Sequence, residues 1–251
     1  MKLRPGVLIL LLASVGAYGT NCVDLERSAE NKLSMVGTAA DDLGPFRAIG
    51  NEALEGVKQC PGSERLWYLA ARSAEVLELP FQGRAFADEG GLKKILADAL
   101  SHEPRSAPIA TIAARTEGGT AAARRALALD PGYAPARRTL AVALAQEGSI
   151  NEALRISKVR TPAGADHLAA ARVLLAANRP AEAIREARAA LSAGTRGAVE
   201  PTPSVEIQRD GNEVLGFALL KQRRRVEADR AFRIAAAAGS VTAQRQLSSS
   251  K

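Results

Sequence analysis

The sequence has few aromatic residues, which make up 4% of its 251 residues, and it is rich in alanine. Large β-sheets are built from aromatic and β-branched residues, so this composition argues against them. Alanine has the highest helix propensity and allows helices to pack closely. The composition therefore predicts an all-α fold.

Residue types that bind metals or carry out acid–base catalysis are also scarce. The two histidines, His102 and His167, have no histidine, cysteine or carboxylate at metal-ligand spacing. The sequence contains no serine-nucleophile elbow and no phosphate-binding glycine loop. We therefore predict a protein without catalytic residues, metal or cofactor. An enzyme whose site lies in two apparent insertions, 78–91 and 194–210, is an alternative.

The N-terminal apolar run, residues 7–15, is shorter than the about 20 residues that span a membrane. Lys2 and Arg4 precede it, and the tripeptide AYG at 17–19 follows it. This pattern predicts a secretory signal peptide over residues 1–19, cut after Gly19, and hence a periplasmic or secreted protein. An uncleaved anchor is one alternative. Lipid attachment at Cys22 is another, although the residues before it match a lipoprotein signal poorly.

There are only two cysteines, Cys22 and Cys60, and both follow the predicted cleavage site. An even number of cysteines in an oxidising compartment favours a disulfide. We therefore predict a Cys22–Cys60 bridge that ties the N-terminal segment to the first helices. Two free thiols, or a lipidated Cys22, are the alternatives.

Acidic residues are fewer than basic ones, which gives a formal net charge of +7. A basic balance suits acidic protein surfaces, lipid head groups or cell-wall polymers, so peripheral membrane or cell-wall association is an open alternative. Aromatic residues do not alternate with the basic ones as base stacking requires, so we expect no nucleic acid partner. The run KQRRR at 221–225 is interpreted as a solvated turn, with an anionic docking patch as the alternative.

Small and large apolar residues recur at helix-hairpin spacing in three segments, 134–158, 166–194 and 215–239. In the last segment, Gly216 and Ala228 would let two helices approach closely while Phe232 fills the space beside them. Gly148 and Pro180 mark the turns of the first two segments. The spacing predicts successive α/α hairpins, with further helices at about 22–37, 44–59, 92–103, 107–116 and 120–129.

The segment 215–239 resembles the tetratricopeptide repeat, a two-helix unit of about 34 residues. The matching residues are Leu215, Gly216, Leu219, Ala228, Phe232 and Ala235. Asn212 and Ser240 stand where the family has tryptophan and proline, and residues 231–247 are also similar to Sel1-type repeats. The resemblance implies an α/α-hairpin solenoid of about six helix pairs. Residues 20–60 would be an N-terminal cap or degenerate repeat, and residues 61–248 the repeat domain.

In tetratricopeptide folds the first helix of each hairpin lines a concave groove that binds ligands. Carried over to this chain, the resemblance implies that the groove is formed by Arg65, Tyr68, Arg72, Arg138, Thr139, Val142, Leu168, Arg172, Val214, Phe217 and Lys221. The set combines guanidinium groups with apolar side chains, which suits an extended or helical peptide with acidic groups.

These features together predict an exported, non-enzymatic scaffold that binds a protein or peptide in the bacterial cell envelope. One alternative is a protein that binds cell-wall glycan. Another is an accessory subunit of an envelope assembly or secretion complex.

Overall fold

The computed structural model describes residues 21–33, 43–78, 91–197, 199–200 and 202–249. Within these ranges every regular element is an α-helix, which confirms the all-α prediction. The predicted signal peptide, residues 1–19, lies outside the described residues, as does nearly all of the predicted insertion 78–91.

The helices follow one another with short connections in most places. Their bounds are α1 (21–33), α2 (Gly44–Gln59), α3 (Glu64–Leu77), α4 (Gly91–His102), α5 (Ala107–Glu117), α6 (Thr120–Leu129), α7 (Ala134–Gln146), α8 (Ile150–Ser157), α9 (Gly164–Ala176), α10 (Pro180–Ala193), α11 (Ser204–Lys221), α12 (Arg225–Ala237) and α13 (Val241–Ser248).

Serine side chains cap several of these helices. The hydroxyl oxygens of Ser63, Ser106 and Ser240 accept hydrogen bonds from backbone N–H groups in the first turns of α3, α5 and α13, at 3.1, 3.2 and 2.9 Å. Each bond satisfies a donor that has no partner within the helix. Local sequence therefore sets where these helices begin.

The apparent insertion 194–210, whose glycines and prolines predict a loop, is only partly a loop, because α11 begins at Ser204. Pro203 occupies the N-cap position, and Glu206 lies in the first turn, where a carboxylate is favoured by the helix dipole. The glycines and prolines that suggested a loop are confined to residues 194–203. This shorter connection joins α10 to α11.

Helices that are neighbours in sequence pack against each other from α2 to α13. In addition, α3, α5, α7, α9 and α11 contact one another in that order. We call these five helices the odd-numbered row. The buried apolar residues form successive clusters along the chain rather than one central core.

The C-terminal hairpin, α11 and α12, packs closely at Gly216, as its sequence predicts. A Cβ atom on Gly216 would lie 2.6 Å from Cε1 of Phe232, which is too close for a real contact. The Phe232 side chain is fully buried. Glycine at position 216 therefore provides the space that the Phe232 ring fills.

Cys22 and Cys60 form the predicted disulfide, with Cα atoms 5.8 Å apart and a sequence separation of 38 residues. The bond joins α1 to the end of α2. Disulfides of this kind persist in oxidising compartments outside the cytosol. Among the described helices, none is both long and apolar enough to cross a membrane.

Replacing both cysteines by serine is expected to lower the free energy of unfolding by about 2–4 kcal/mol, because the bond restricts the unfolded chain. Urea unfolding of the oxidised protein and of the double variant measures the difference. The same protein treated with a reductant should match the variant. Two reactive thiols in the untreated protein, purified under oxidising conditions, would contradict the bridge.

Candidate functional site: a cavity lined by arginines

The odd-numbered row lines a partly open cavity of 350 Å³, which we call the arginine cavity. Each of its five helices contributes one arginine to the lining. In chain order these are Arg72, Arg115, Arg138, Arg172 and Arg209. Apolar side chains such as Val142, Leu168 and Ile207 form other parts of the wall. The lining thus combines positive charge with apolar surface.

Glu75, on α3, connects two of these arginines. Its carboxylate accepts hydrogen bonds from Arg72 Nη1 at 2.6 Å and from Arg115 Nε at 2.6 Å. Arg72 also donates through Nη2 to Glu206 of α11 at 2.8 Å. The first and last helices of the row are therefore joined directly by an ion pair.

Glu200 enters the cavity from the α10–α11 connection. Its two carboxylate oxygens accept hydrogen bonds from Arg115 Nη1 and Nη2 at 3.1 and 3.0 Å. Arg138 Nη2 lies 3.6 Å from the same carboxylate. Only 7% of the Glu200 residue is exposed, so its carboxylate is largely shielded from water and surrounded by arginines.

The ion pairs shift the protonation of the groups around them. Burial alone would raise the pKa of Glu75 and of Glu200, but the positive charges of Arg115 and Arg72 bring both below the usual value. Burial, together with the negative charge of Glu200, raises the pKa of the Tyr68 phenol to about 12. At neutral pH the carboxylates are therefore ionised and the phenol is neutral.

The C-terminal side of the cavity has a second group of charges. Asp210 accepts from Arg172 Nη2 at 2.6 Å and from Arg209 Nε at 2.6 Å. Burial would raise the pKa of Asp210, but the two arginines lower it. Nη1 of Arg209 is buried and has no hydrogen-bond partner.

The structure places six residues of the implied groove around this one cavity. They are Arg72, Arg138, Thr139, Val142, Leu168 and Arg172. Arg72 is 4% exposed because the carboxylates of Glu75 and Glu206 cover it. Thr139 and Val142 are half-buried, so they are better placed to contact a ligand.

The other five implied residues lie elsewhere. Arg65 is half-buried, bonds to Glu30 at 2.8 Å and lies over the ring of the buried Tyr68. Val214 is buried with Leu168 in an apolar cluster. Phe217 packs edge-on against Phe232 at 5.0 Å between ring centroids, and Lys221 donates to Asn178 at 3.1 Å.

The sequence did not reveal Arg115, Glu200 or Arg209 as site residues. The spacing did predict α5, and treating it as the first helix of a hairpin would have pointed to Arg115. Glu200 lies in a connection rich in glycine and proline, where no periodic pattern of apolar residues indicates which way a side chain faces. No sequence signal identifies it.

Both histidines have structural contacts. His102 stacks on Trp67 with ring centroids 5.4 Å apart, and Nδ1 of His167 lies 2.7 Å from a carboxylate oxygen of Glu186. Over the ranges that the structure describes, no three His, Cys, Asp or Glu residues are grouped so as to hold a metal ion. What the arginine cavity offers chemically is the binding of anionic groups beside apolar surface.

Compared with known proteins, the chain matches no family model and shows no significant similarity to a curated protein.

Proposed function

We propose that this protein is an exported, non-enzymatic scaffold of the bacterial cell envelope that binds a protein or peptide in the arginine cavity. One observation carries the proposal: each helix of the odd-numbered row places one arginine on the same surface. Repeated small contacts along a preformed surface give affinity without chemistry. The expected partner has acidic groups and an apolar portion.

The packing of the helices supports a tetratricopeptide-like solenoid. In such a fold the first helix of each hairpin contacts both its partner and the first helix of the next hairpin. The odd-numbered row has these contacts, and α3–α4, α5–α6, α7–α8, α9–α10 and α11–α12 are the corresponding pairs. Counting α1–α2, which the Cys22–Cys60 bond joins, we propose six pairs.

Export is supported by the Cys22–Cys60 bridge, since the cytosol keeps thiols reduced. The N-terminal pattern of basic residues, apolar run and small residues fits the same route. A periplasmic location would bring the arginine cavity into contact with envelope proteins.

Val142→Glu is expected to weaken capture of the partner at least about tenfold, as loss of a central interface contact does. Val142 is half-buried in the cavity wall, one helical turn after Arg138. A glutamate there would pair with Arg138 and repel acidic groups of the partner. The measurement is affinity purification from the native host, with quantitative mass spectrometry of the proteins retained.

Val226→Glu is the matched control, because Val226 is 77% exposed on α12 and does not line the cavity. Both variants should keep the helical circular dichroism of the wild type. If both retain the same proteins as the wild type, the arginine cavity is not the docking surface.

A further inference from the structure

Glu200 differs from the other carboxylates of the arginine cavity in where it comes from. Glu75 belongs to α3, and Glu206 and Asp210 belong to α11, so helices of the odd-numbered row supply them. Glu200 instead comes from the connection between α10 and α11, and it reaches Arg115, which is 85 residues away in sequence. The connection thus brings a carboxylate to a surface made by other helices.

The charges of the cavity explain why a carboxylate is held there. The lining residues of α5, α7 and α9 include Arg115, Arg138 and Arg172 but no acidic residue. Without Glu200, the cavity would have five arginines and three carboxylates. Glu75 bonds to Arg115, and Asp166 of α9 bonds to Arg138. Glu200 is the carboxylate that reaches both of these arginines, and it does so from outside the odd-numbered row.

The cavity also has room for more than the Glu200 side chain. Its 350 Å³ volume is lined by Glu200 and Thr202 of the α10–α11 connection and by Thr139, Val142 and Leu168 of α7 and α9. This volume falls in the range of ligand sites, about 300–1,000 Å³. A peptide segment entering the cavity would meet Arg115 and Arg138 next to apolar wall.

We propose that Arg115 and Arg138 form a carboxylate subsite that Glu200 fills as an internal ligand, and that an acidic side chain of the partner replaces Glu200 there. The proposal rests on the proposed function and adds to it the chemistry of the partner and a competing group within the chain. Binding then requires exchange of one carboxylate for another, so the internal ligand lowers the affinity for the partner. When no partner is bound, Glu200 stays beside the two arginines, which also bond to Glu75 and Asp166.

The sequence around Glu200 indicates what kind of segment fits. Proline follows Glu200 directly, and Thr202 and Pro203 come next. A residue before proline is restricted to extended conformations, which presents its side chain away from the backbone. We therefore expect the partner to offer a glutamate or aspartate within an extended, proline-containing segment.

The probe is a fluorescently labelled synthetic peptide, VEPTP, which has the sequence of residues 199–203. Its binding to the full chain is followed by fluorescence anisotropy. Removing the internal ligand with Glu200→Ala should tighten binding at least about tenfold relative to the wild type, the scale of one charge-assisted hydrogen bond. The peptide VQPTP should not show this gain, because it lacks the carboxylate.

Two further variants make the result specific. Glu182→Ala is the matched control, because Glu182 also accepts two hydrogen bonds from one arginine, Arg179, but lies outside the cavity. It should bind VEPTP as the wild type does. Adding Arg138→Gln to Glu200→Ala should abolish the gain in affinity. If Glu200→Ala does not fold, Glu200→Gln removes the charge at nearly constant size. This variant should also bind VEPTP more tightly than the wild type does, and should show no such gain for VQPTP.

The proposal is overturned if neither Glu200 variant binds VEPTP more tightly than the wild type, or if both bind VEPTP and VQPTP equally. Either result would mean that Glu200 only fastens the α10–α11 connection. Failure of the scaffold function gives a different result, in which Val142→Glu captures the same native proteins as the wild type. The two experiments therefore separate an error about the subsite from an error about the function.

Discussion

Replacing Glu75 by glutamine is expected to lower the free energy of unfolding at pH 7 by about 3 kcal/mol, the lower end of the range for breaking a buried ion pair. Glu75 holds both Arg72 and Arg115 through bonds of 2.6 Å. Arg72 is 4% exposed, so its guanidinium group is shielded from water. Glutamine keeps the size of the side chain but removes its charge. Urea unfolding at pH 7 measures the loss.

The same ion pairs predict the direction of the pH dependence. Because the pKa values of Glu75 and Glu200 are lowered on folding, their contribution is complete above about pH 4.5 and is lost as the pH falls through the folded-state values. Glu75→Gln should therefore lose less stability on acidification than the wild type does. Glu182→Gln, at an exposed ion pair, should change the stability little. If Glu75→Gln and Glu182→Gln lower the free energy of unfolding equally at pH 7, the Glu75 ion pairs do not stabilise the fold more than an exposed ion pair does.

The helices could be predicted because local features encode them. Alanine-rich segments with helical spacing end at glycine or proline, and the close approach at Gly216 is visible as a small residue opposite Phe232. One boundary was misplaced, since Pro203 begins a helix here instead of prolonging the preceding loop. Proline is common both in loops and at the start of helices, so the sequence alone does not distinguish the two.

The charge pairs of the arginine cavity could not be predicted, because they join residues far apart in the chain. Arg72 and Glu206 are separated by 134 residues, and their contact depends on how all the intervening helices stack. The resemblance to tetratricopeptide repeats implied that Arg72 and Tyr68 line a groove, and of the two only Arg72 lines the cavity. It contained no information that carboxylates from α11 and from the α10–α11 connection would cover that surface. The packing of the chain decides which arginines remain accessible to a partner.

Replacing Phe232 by alanine is expected to lower the free energy of unfolding by about 3–5 kcal/mol, the usual cost of removing a buried aromatic ring. Phe232 is fully buried between α11 and α12, against Gly216 and the edge of Phe217. The backbone at Gly216 cannot fill the space, so a cavity would remain. Thermal and urea unfolding measure the loss. Ile234→Ala is the control on the same helix, because Ile234 is 45% exposed.

A double-mutant cycle tests whether Gly216 and Phe232 act as a pair. Gly216→Ala alone should lower the free energy of unfolding by about 1–3 kcal/mol, because the alanine methyl group would overlap the Phe232 ring. In a Phe232→Leu background the ring is absent, and the higher helix propensity of alanine should reduce that loss or reverse it. If Gly216→Ala changes the free energy of unfolding equally in both backgrounds, the Phe232 ring is not the reason that position 216 needs glycine. A smaller effect beside leucine would show that the Phe232 ring is what requires glycine at position 216.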